Sequence, residues 1–165
     1  MSEQWVVNAS PLILLGKVKQ LDLIAQLSKA FVVPEAVVTE ILAGPPDDPA
    51  RIFIEANSID IVAAPSHPLV ASWDLGLGET AVLSYALNTP PYKAIIDDGA
   101  ARRCAKTLGI PVAGTLSIIL AARRHNIIPA AAPVLQSLVA VGFRMNQTML
   151  ERALWEAVGE RWLPE

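Results

Sequence analysis

A chain of 165 residues is long enough to bury a hydrophobic core of its own and fits one domain of ordinary size. Its composition, 53% hydrophobic and 18% charged, excludes a disordered tail, and a net charge of −3 argues against a broad nucleic-acid surface. The single cysteine, Cys104, excludes an internal disulfide and suits a reducing compartment.

The N-terminus carries Glu3 and no basic run, so no secretory signal is expected and the chain reads as cytoplasmic. "QWVVNA" (4–9) reads as a short buried strand, and "SPLILLGKV" as a helix with Ser10 as its cap and Pro11 in its first turn. "LDLIAQL" keeps helical spacing, "AFVV" is a second strand, and "PEAVVTEILAG" is a helix with Pro34 at its start and Gly44 past its end. After the loop "PPDDP" come a short helix, "RIFIEAN", and a strand, "IDIVAA". "PSHPLVASWDLGLG" reads as a loop with a helical turn at most, and "GETAVLSYALN" as a clear helix. "KAIID" is a strand, "DGAARRCAKTLG" a helix ending at Gly109, "IPVAG" a strand and "TLSIILAARRHN" a helix. Two further helices are expected near 130–141 and 147–159. The stretch 126–143 is uncharged, but Asn126, Pro129, Pro133, Gln136 and Ser137 argue for a buried helix rather than a membrane span.

Strands that alternate with helices and are apolar throughout predict an α/β fold with a central parallel sheet covered on both faces. No repeat or domain-scale linker interrupts the chain, so residues 1–165 are read as one domain. The C-terminal helices, 130–162, either pack on it or form a partner surface. Leu150, Leu154, Ala157, Val158 and Trp162 share one stripe of the last helix, a pattern more often core than docking face.

In such sheets functional groups gather beyond the C-terminal ends of the strands. Asn8 lies at one such end, and Asp97 and Asp98 lie side by side at another. Adjacent carboxylates resist joint ionisation unless a positive charge is near, and a divalent cation is an economical partner. Glu40, inside an apolar helix, and Glu79, at a helix start, complete the candidate acids. Each has a plainer reading. Glu40 can face solvent, Glu79 can complement the helix dipole, and Asp98 can cap the helix after it. Capping accounts for one of the two aspartates and not for both. The only basic stretch surrounds this pair: residues 93–124 hold Lys93, Arg102, Arg103, Lys106, Arg123 and Arg124. These cations can be a solvated helix face or a track for phosphates, and Arg102 and Lys106 share one helix face.

The pieces "VVNASPLILLGKVKQLDLI", "VVPEAVVTEIL", "LGLGETAVLSYAL", "AIIDDGAARRCAKTLGIPVAGTLSIILAARRHNII" and "GFRMNQTMLERAL" occur in this order over nearly the whole chain. Together they resemble the PIN-domain superfamily, in particular a widespread prokaryotic branch described mainly as a domain of unknown function. The resemblance implies a three-layer α/β/α domain and metal-dependent ribonuclease activity, with three or four acids around Mg²⁺ or Mn²⁺. It also implies cleavage that leaves a 5′-phosphate, and kinship with VapC-like toxins, hence a small antitoxin protein as partner. Carried over by motif, Glu40, Glu79, Asp97 and Asp98 are the catalytic acids. Asn8, Glu40, Glu79 and Asp98 are the metal ligands, with Asp98 the first choice of the pair. Ser10 matches the family's small hydroxyl residue near the first strand's end and, on the nuclease reading, is expected at the substrate with Arg102, Arg103 and Lys106, whose cations hold flanking phosphates. The alternative to core for the terminal helix is a docking face for an antitoxin or a second copy. The superfamily usually has Asp where this chain has Asn8, which brings an oxygen but no charge.

Two rivals remain at this stage. "GLGETA" (76–81) matches a dinucleotide-binding fingerprint, but that motif needs a strand immediately before it and "PLVASWD" is a poor one. The other rival keeps the fold without the chemistry: with Asn8 in place of an acid, the domain binds RNA or protein and does not cut.

Overall fold

The computed structural model describes residues 3–56 and 59–163. Five strands form its sheet: β1 (Gln4–Val7), β2 (Ala30–Pro34), β3 (Asp60–Val62), β4 (Lys93–Ile95) and β5 (Val112–Ala113). Their order is β3-β2-β1-β4-β5, and every pairing is parallel. Val6, Val7, Val32, Val33, Ala94 and Ile95 are buried, so the central strands have no polar face to alternate with.

Ten helices accompany the sheet among the described residues. They are α1 (Ala9–Lys17), α2 (Asp22–Leu27), α3 (Glu35–Leu42), α4 (Pro49–Ala56), α5 (Pro68–Ala71), α6 (Leu77–Asn88), α7 (Gly99–Thr107), α8 (Thr115–Arg124), α9 (Ala132–Ala140) and α10 (Gln147–Val158). The connection from β1 to β2, through α1 and α2, and that from β4 to β5, through α7, leave the middle of the sheet in opposite directions. Right-handed crossovers therefore set α7 on the face opposite α1 and α2. α6 crosses β1, β2 and β4 beside α7, while α8 meets α2 and carries α9 and α10. The result is the three-layer α/β/α architecture expected from the alternation.

The differences from the sequence reading are local. Strand "QWVVNA" shortens to Gln4–Val7, because the backbone turns into α1 at Ala9, one residue before the expected cap. The loop after β3 contains a complete short helix, α5, capped by His67, whose Nδ1 accepts the Leu69 N–H at 3.1 Å. The helix expected over "RIFIEAN" begins at Pro49, and its last residue, Asn57, lies outside the described residues. No strand precedes "GLGETA"; α5 does, so the dinucleotide reading loses its structural context. The uncharged stretch 126–143 holds only the nine-residue α9, and among the described residues no helix is long and apolar enough to cross a membrane.

The C-terminal helices share the main core. Leu135 and Leu138 of α9 and Leu150 and Leu154 of α10 are buried in the same cluster as Val6 and Ile95. Ala157, Val158 and Trp162 are partly buried against it. Leu154→Ala is therefore expected to cost about 2–5 kcal/mol in urea denaturation. Trp155→Ala, at the neighbouring position facing solvent, should cost roughly 1 kcal/mol or less. Equal losses would place α10 outside the core.

Candidate functional site

The strand order reverses direction between β1 and β4, and the candidate site lies at the C-terminal ends of these two strands. The Asn8 N–H donates to the Ile95 carbonyl at 3.0 Å, extending the ladder one step beyond β1. Asn8 flanks the first turn of α1, where an Asn side chain ordinarily accepts a backbone N–H two or three residues on. Here the third residue is Pro11, which has no N–H, and the side chain makes no capping bond. Asn8 is only 2% exposed, and its Oδ1 is left without a hydrogen-bond partner. Burial of such an oxygen costs about 1–3 kcal/mol unless something meets it. Ser10, expected to be the cap, instead lies inside α1 and donates its hydroxyl to Asp97 Oδ2 at 3.2 Å.

The paired aspartates turn out to cap two different helices. Asp98 Oδ2 accepts the Ala101 N–H at 2.9 Å and caps α7, the helix it precedes. Asp97 reaches across to the start of α8. Its Oδ1 accepts the Thr115 N–H at 2.8 Å, and its Oδ2 accepts the Thr115 hydroxyl at 2.7 Å. A carboxylate at a helix N-terminus is favourable by about 0.3–1 kcal/mol in addition to the hydrogen bonds. Both Asp97 oxygens are thus engaged by the protein, while Asp98 is exposed and bonded through one oxygen. Gly114 permits the tie, since a methyl group there would lie 2.8 Å from both Asp97 Oδ1 and Arg102 Nη1.

Glu40 and Glu79 approach from α3 and α6. Glu40 is exposed as a residue, but its carboxylate reaches the backbone of Gly78. A methyl group on Gly78 would sit 2.8 Å from Glu40 Oε2 and 3.1 Å from Asn8 Oδ1. Two acceptor oxygens therefore face one small space that only glycine leaves open. Partial desolvation, aided by the charge of Glu79, raises the Glu40 pKa above its ordinary value. The Glu79 carboxylate curls back over Gly76, within 2.5 Å of where a methyl group there would lie.

These groups border a cleft of about 740 Å³. Asn8, Ser10, Glu79, Asp97 and Asp98 line it, together with Arg102 and Lys106 on successive turns of α7. Arg102 also donates to the Ile96 carbonyl at 3.2 Å, which fixes its side chain at the strand end. Glu40 stands behind Gly78 rather than in the cleft wall, and Arg103 is exposed outside it. Arg123 and Arg124, at the far end of α8, do not line this cleft. α8 begins at the site and runs away from it, so its last turn lies more than ~10 Å off. Arg123 there is tied to Glu160 Oε2 at 3.1 Å. The sequence reading missed a further part of the lining, Phe143, Arg144, Met145 and Met149, from the segment between α9 and α10 and the first turn of α10. Its one signal was the run "GFRM", an arginine between apolar residues after a glycine turn.

A family model described as a PIN domain matches residues 4–159. The chain belongs to the PIN-domain family. Among curated proteins none matches it.

PIN domains have a nuclease-type fold and generally use a divalent metal. The donors in this PIN domain suit a hard cation in kind: Asn8 Oδ1, the Glu40 and Glu79 carboxylates and the second oxygen of Asp98 are all oxygens. The orphaned Asn8 Oδ1 and the space over Gly78 are the observations that favour such an ion. Among the described residues no three His, Cys, Asp or Glu side chains stand together closely enough to hold one. An ion here would keep several waters, as Mg²⁺ commonly does.

The raised Glu40 pKa has a definite sign. The folded protein binds this proton more tightly than the unfolded chain, so ionised Glu40 opposes folding. The penalty is absent at low pH and develops as the pH climbs from the ordinary value of 4.5 through the raised one. Glu40→Gln should therefore melt above wild type at pH 7 in EDTA, with the gap closing below about pH 4. Added Mg²⁺ should favour wild type. A destabilised Glu40→Gln at pH 7 in EDTA would refute this account of the site.

Proposed function

We propose that this PIN domain is a metal-dependent endoribonuclease, the toxin-like member of a toxin–antitoxin pair, that hydrolyses RNA phosphodiester bonds. The observation that carries it is the buried, unpartnered Asn8 Oδ1, which shares the space over Gly78 with Glu40 Oε2 at the rim of a cleft with a basic wall. Asn8, Glu40, Glu79 and Asp98 would hold Mg²⁺ or Mn²⁺. When bound, such an ion supplies an acidified water and Lewis-acid polarisation of a phosphate oxygen.

The remaining work falls to the chain. Arg102 and Lys106, four residues apart on α7, take the phosphates that flank the scissile one. Arg102 is the better positioned, because its bond to the Ile96 carbonyl holds it in place before substrate arrives. Ser10 and Thr115 hold Asp97, and through it keep the ends of β4, α1 and α8 in register. The toxin-type role and its antitoxin partner rest on the resemblance alone.

One observation favours a second reading, a PIN-fold module that binds RNA or protein without cutting. Asn8 stands where an acid is usual, and no triad of ligating side chains closes among the described residues.

Cleavage of labelled single-stranded RNA in Mg²⁺, in Mn²⁺ and in EDTA separates the two. The nuclease reading expects metal-dependent cutting that EDTA abolishes. Glu79→Gln should slow it by at least about 10–100-fold, the loss seen for residues that merely orient ligands. Asn8→Asp should bind Mg²⁺ more tightly. Folded protein that binds RNA and cuts it under no condition would leave the binding module.

A further inference from the structure

One part of the cleft wall is built from the α9–α10 connection. Gly142, at φ +113°, turns the chain there, and its N–H donates to the Val139 carbonyl at 3.2 Å. Phe143 is buried, and its N–H donates to the Leu138 carbonyl at 2.9 Å. Asn146 then caps α10 by accepting the Met149 N–H at 3.2 Å. The segment is thus pinned at both ends. Arg144, Met145 and Met149 are all exposed and all line the cleft, Met145 just before the cap of α10 and Met149 in its first turn. The two methionines are 39% and 61% exposed, large apolar side chains left in water on the rim of a charged cleft.

We infer that Met145 and Met149 form a base platform: an unpaired base of single-stranded RNA lies against them while Arg144 holds its phosphate. This rests on the ribonuclease reading for where the strand runs. The chemistry comes from the wall itself. A thioether is soft and polarisable, and it packs favourably against an aromatic ring. Every base offers a π-face, so the platform tolerates any sequence. A double helix keeps its bases stacked and presents phosphates and hydroxyls, for which an apolar wall is of no use. Charge complementarity selects the occupant. Arg102, Lys106 and Arg144 line the same cleft as the methionines and supply cations for a polyanion lying in it. Asn8, Glu79 and Asp98 line the same cleft, so a strand whose base is seated here runs in the cleft that holds those oxygens.

The test is fluorescence anisotropy with the full chain in EDTA, repeated in Ca²⁺. The probes are a short labelled single-stranded RNA of mixed sequence and an abasic strand of the same backbone length. Wild type should bind the abasic strand roughly threefold to tenfold more weakly. Met145→Ser/Met149→Ser, at exposed positions, should keep its melting temperature and bind the two strands equally. Arg144→Ala should weaken both strands alike and reduce the salt dependence. A double variant that still prefers the base-bearing strand overturns the platform. So does one that binds RNA as wild type does but abolishes a dimer seen by light scattering, for the methionines would then be a self-association face. Failure of wild type to bind either strand, in EDTA or in Ca²⁺, would sink the ribonuclease reading together with the platform.

Discussion

Asp97 holds three elements at one point, and the geometry of the site depends on it. It follows β4, accepts the Ser10 hydroxyl from α1, and accepts both the N–H and the hydroxyl of Thr115 from the start of α8. Thr115 is fully buried, so its N–H has no water to fall back on. An unmet donor there would cost about 1–3 kcal/mol. Gly114 is part of the same device, because any side chain would force apart the two groups it lets approach. Once this tie is made, the ends of β1 and β4 are fixed side by side, and Asn8 and Asp98 are fixed with them.

The arrangement brings several helix N-termini to one edge of the sheet. α1, α7 and α8 begin where β1, β4 and β5 end, and α6 brings Glu79 to the same edge in its own first turn. Each start exposes backbone N–H groups and a partial positive charge. Asp97 and Asp98 meet two of these directly. So the acid pair is first a consequence of the parallel fold: two helices begin beside one strand end, and each takes a carboxylate. Among the described residues Glu40 and Glu79 have no such helix-start partner, and the raised Glu40 pKa reflects burial first and repulsion by the charge of Glu79 second. An uncharged Asn8 lightens that repulsion at the cost of a weaker pull on any cation.

Much of this was legible in the sequence because buried parallel strands and capped helices leave local marks. "KAII" before "DD", and Pro34 and Gly44 around "EAVVTEIL", place their elements to within a residue or two. What was illegible depends on partners distant in the chain. The roles of Asp97 and Asp98 are divided by Thr115, 18 residues further on, and no local pattern announces that contact. Ser10 looked like a cap because it precedes Pro11, yet the turn into α1 falls one residue earlier. Arg123 and Arg124 looked like an extension of the basic track because charge runs carry no direction, whereas α8 carries them away from the cleft. The methionine wall lies more than 40 residues from the acids and enters the site only because α9 and α10 pack on α8.

That packing gives the C-terminal helices a reason beyond the core they complete. In the proposed nuclease, the set of charged donors is thin: one neutral amide oxygen, two glutamates and half of Asp98. A hard cation held so lightly keeps open positions, and the usual group to fill them is a phosphate of the substrate. Binding the strand and binding the ion then favour each other, since each supplies charge the other lacks. A site of this kind needs the strand held by something other than the metal. In the proposed nuclease Arg102, Lys106, Arg144 and the methionines, all in the lining of one cleft, would meet that need. The basic track and the weakened acid set are therefore complementary parts of one design, with affinity moved from the ion to the walls of the cleft.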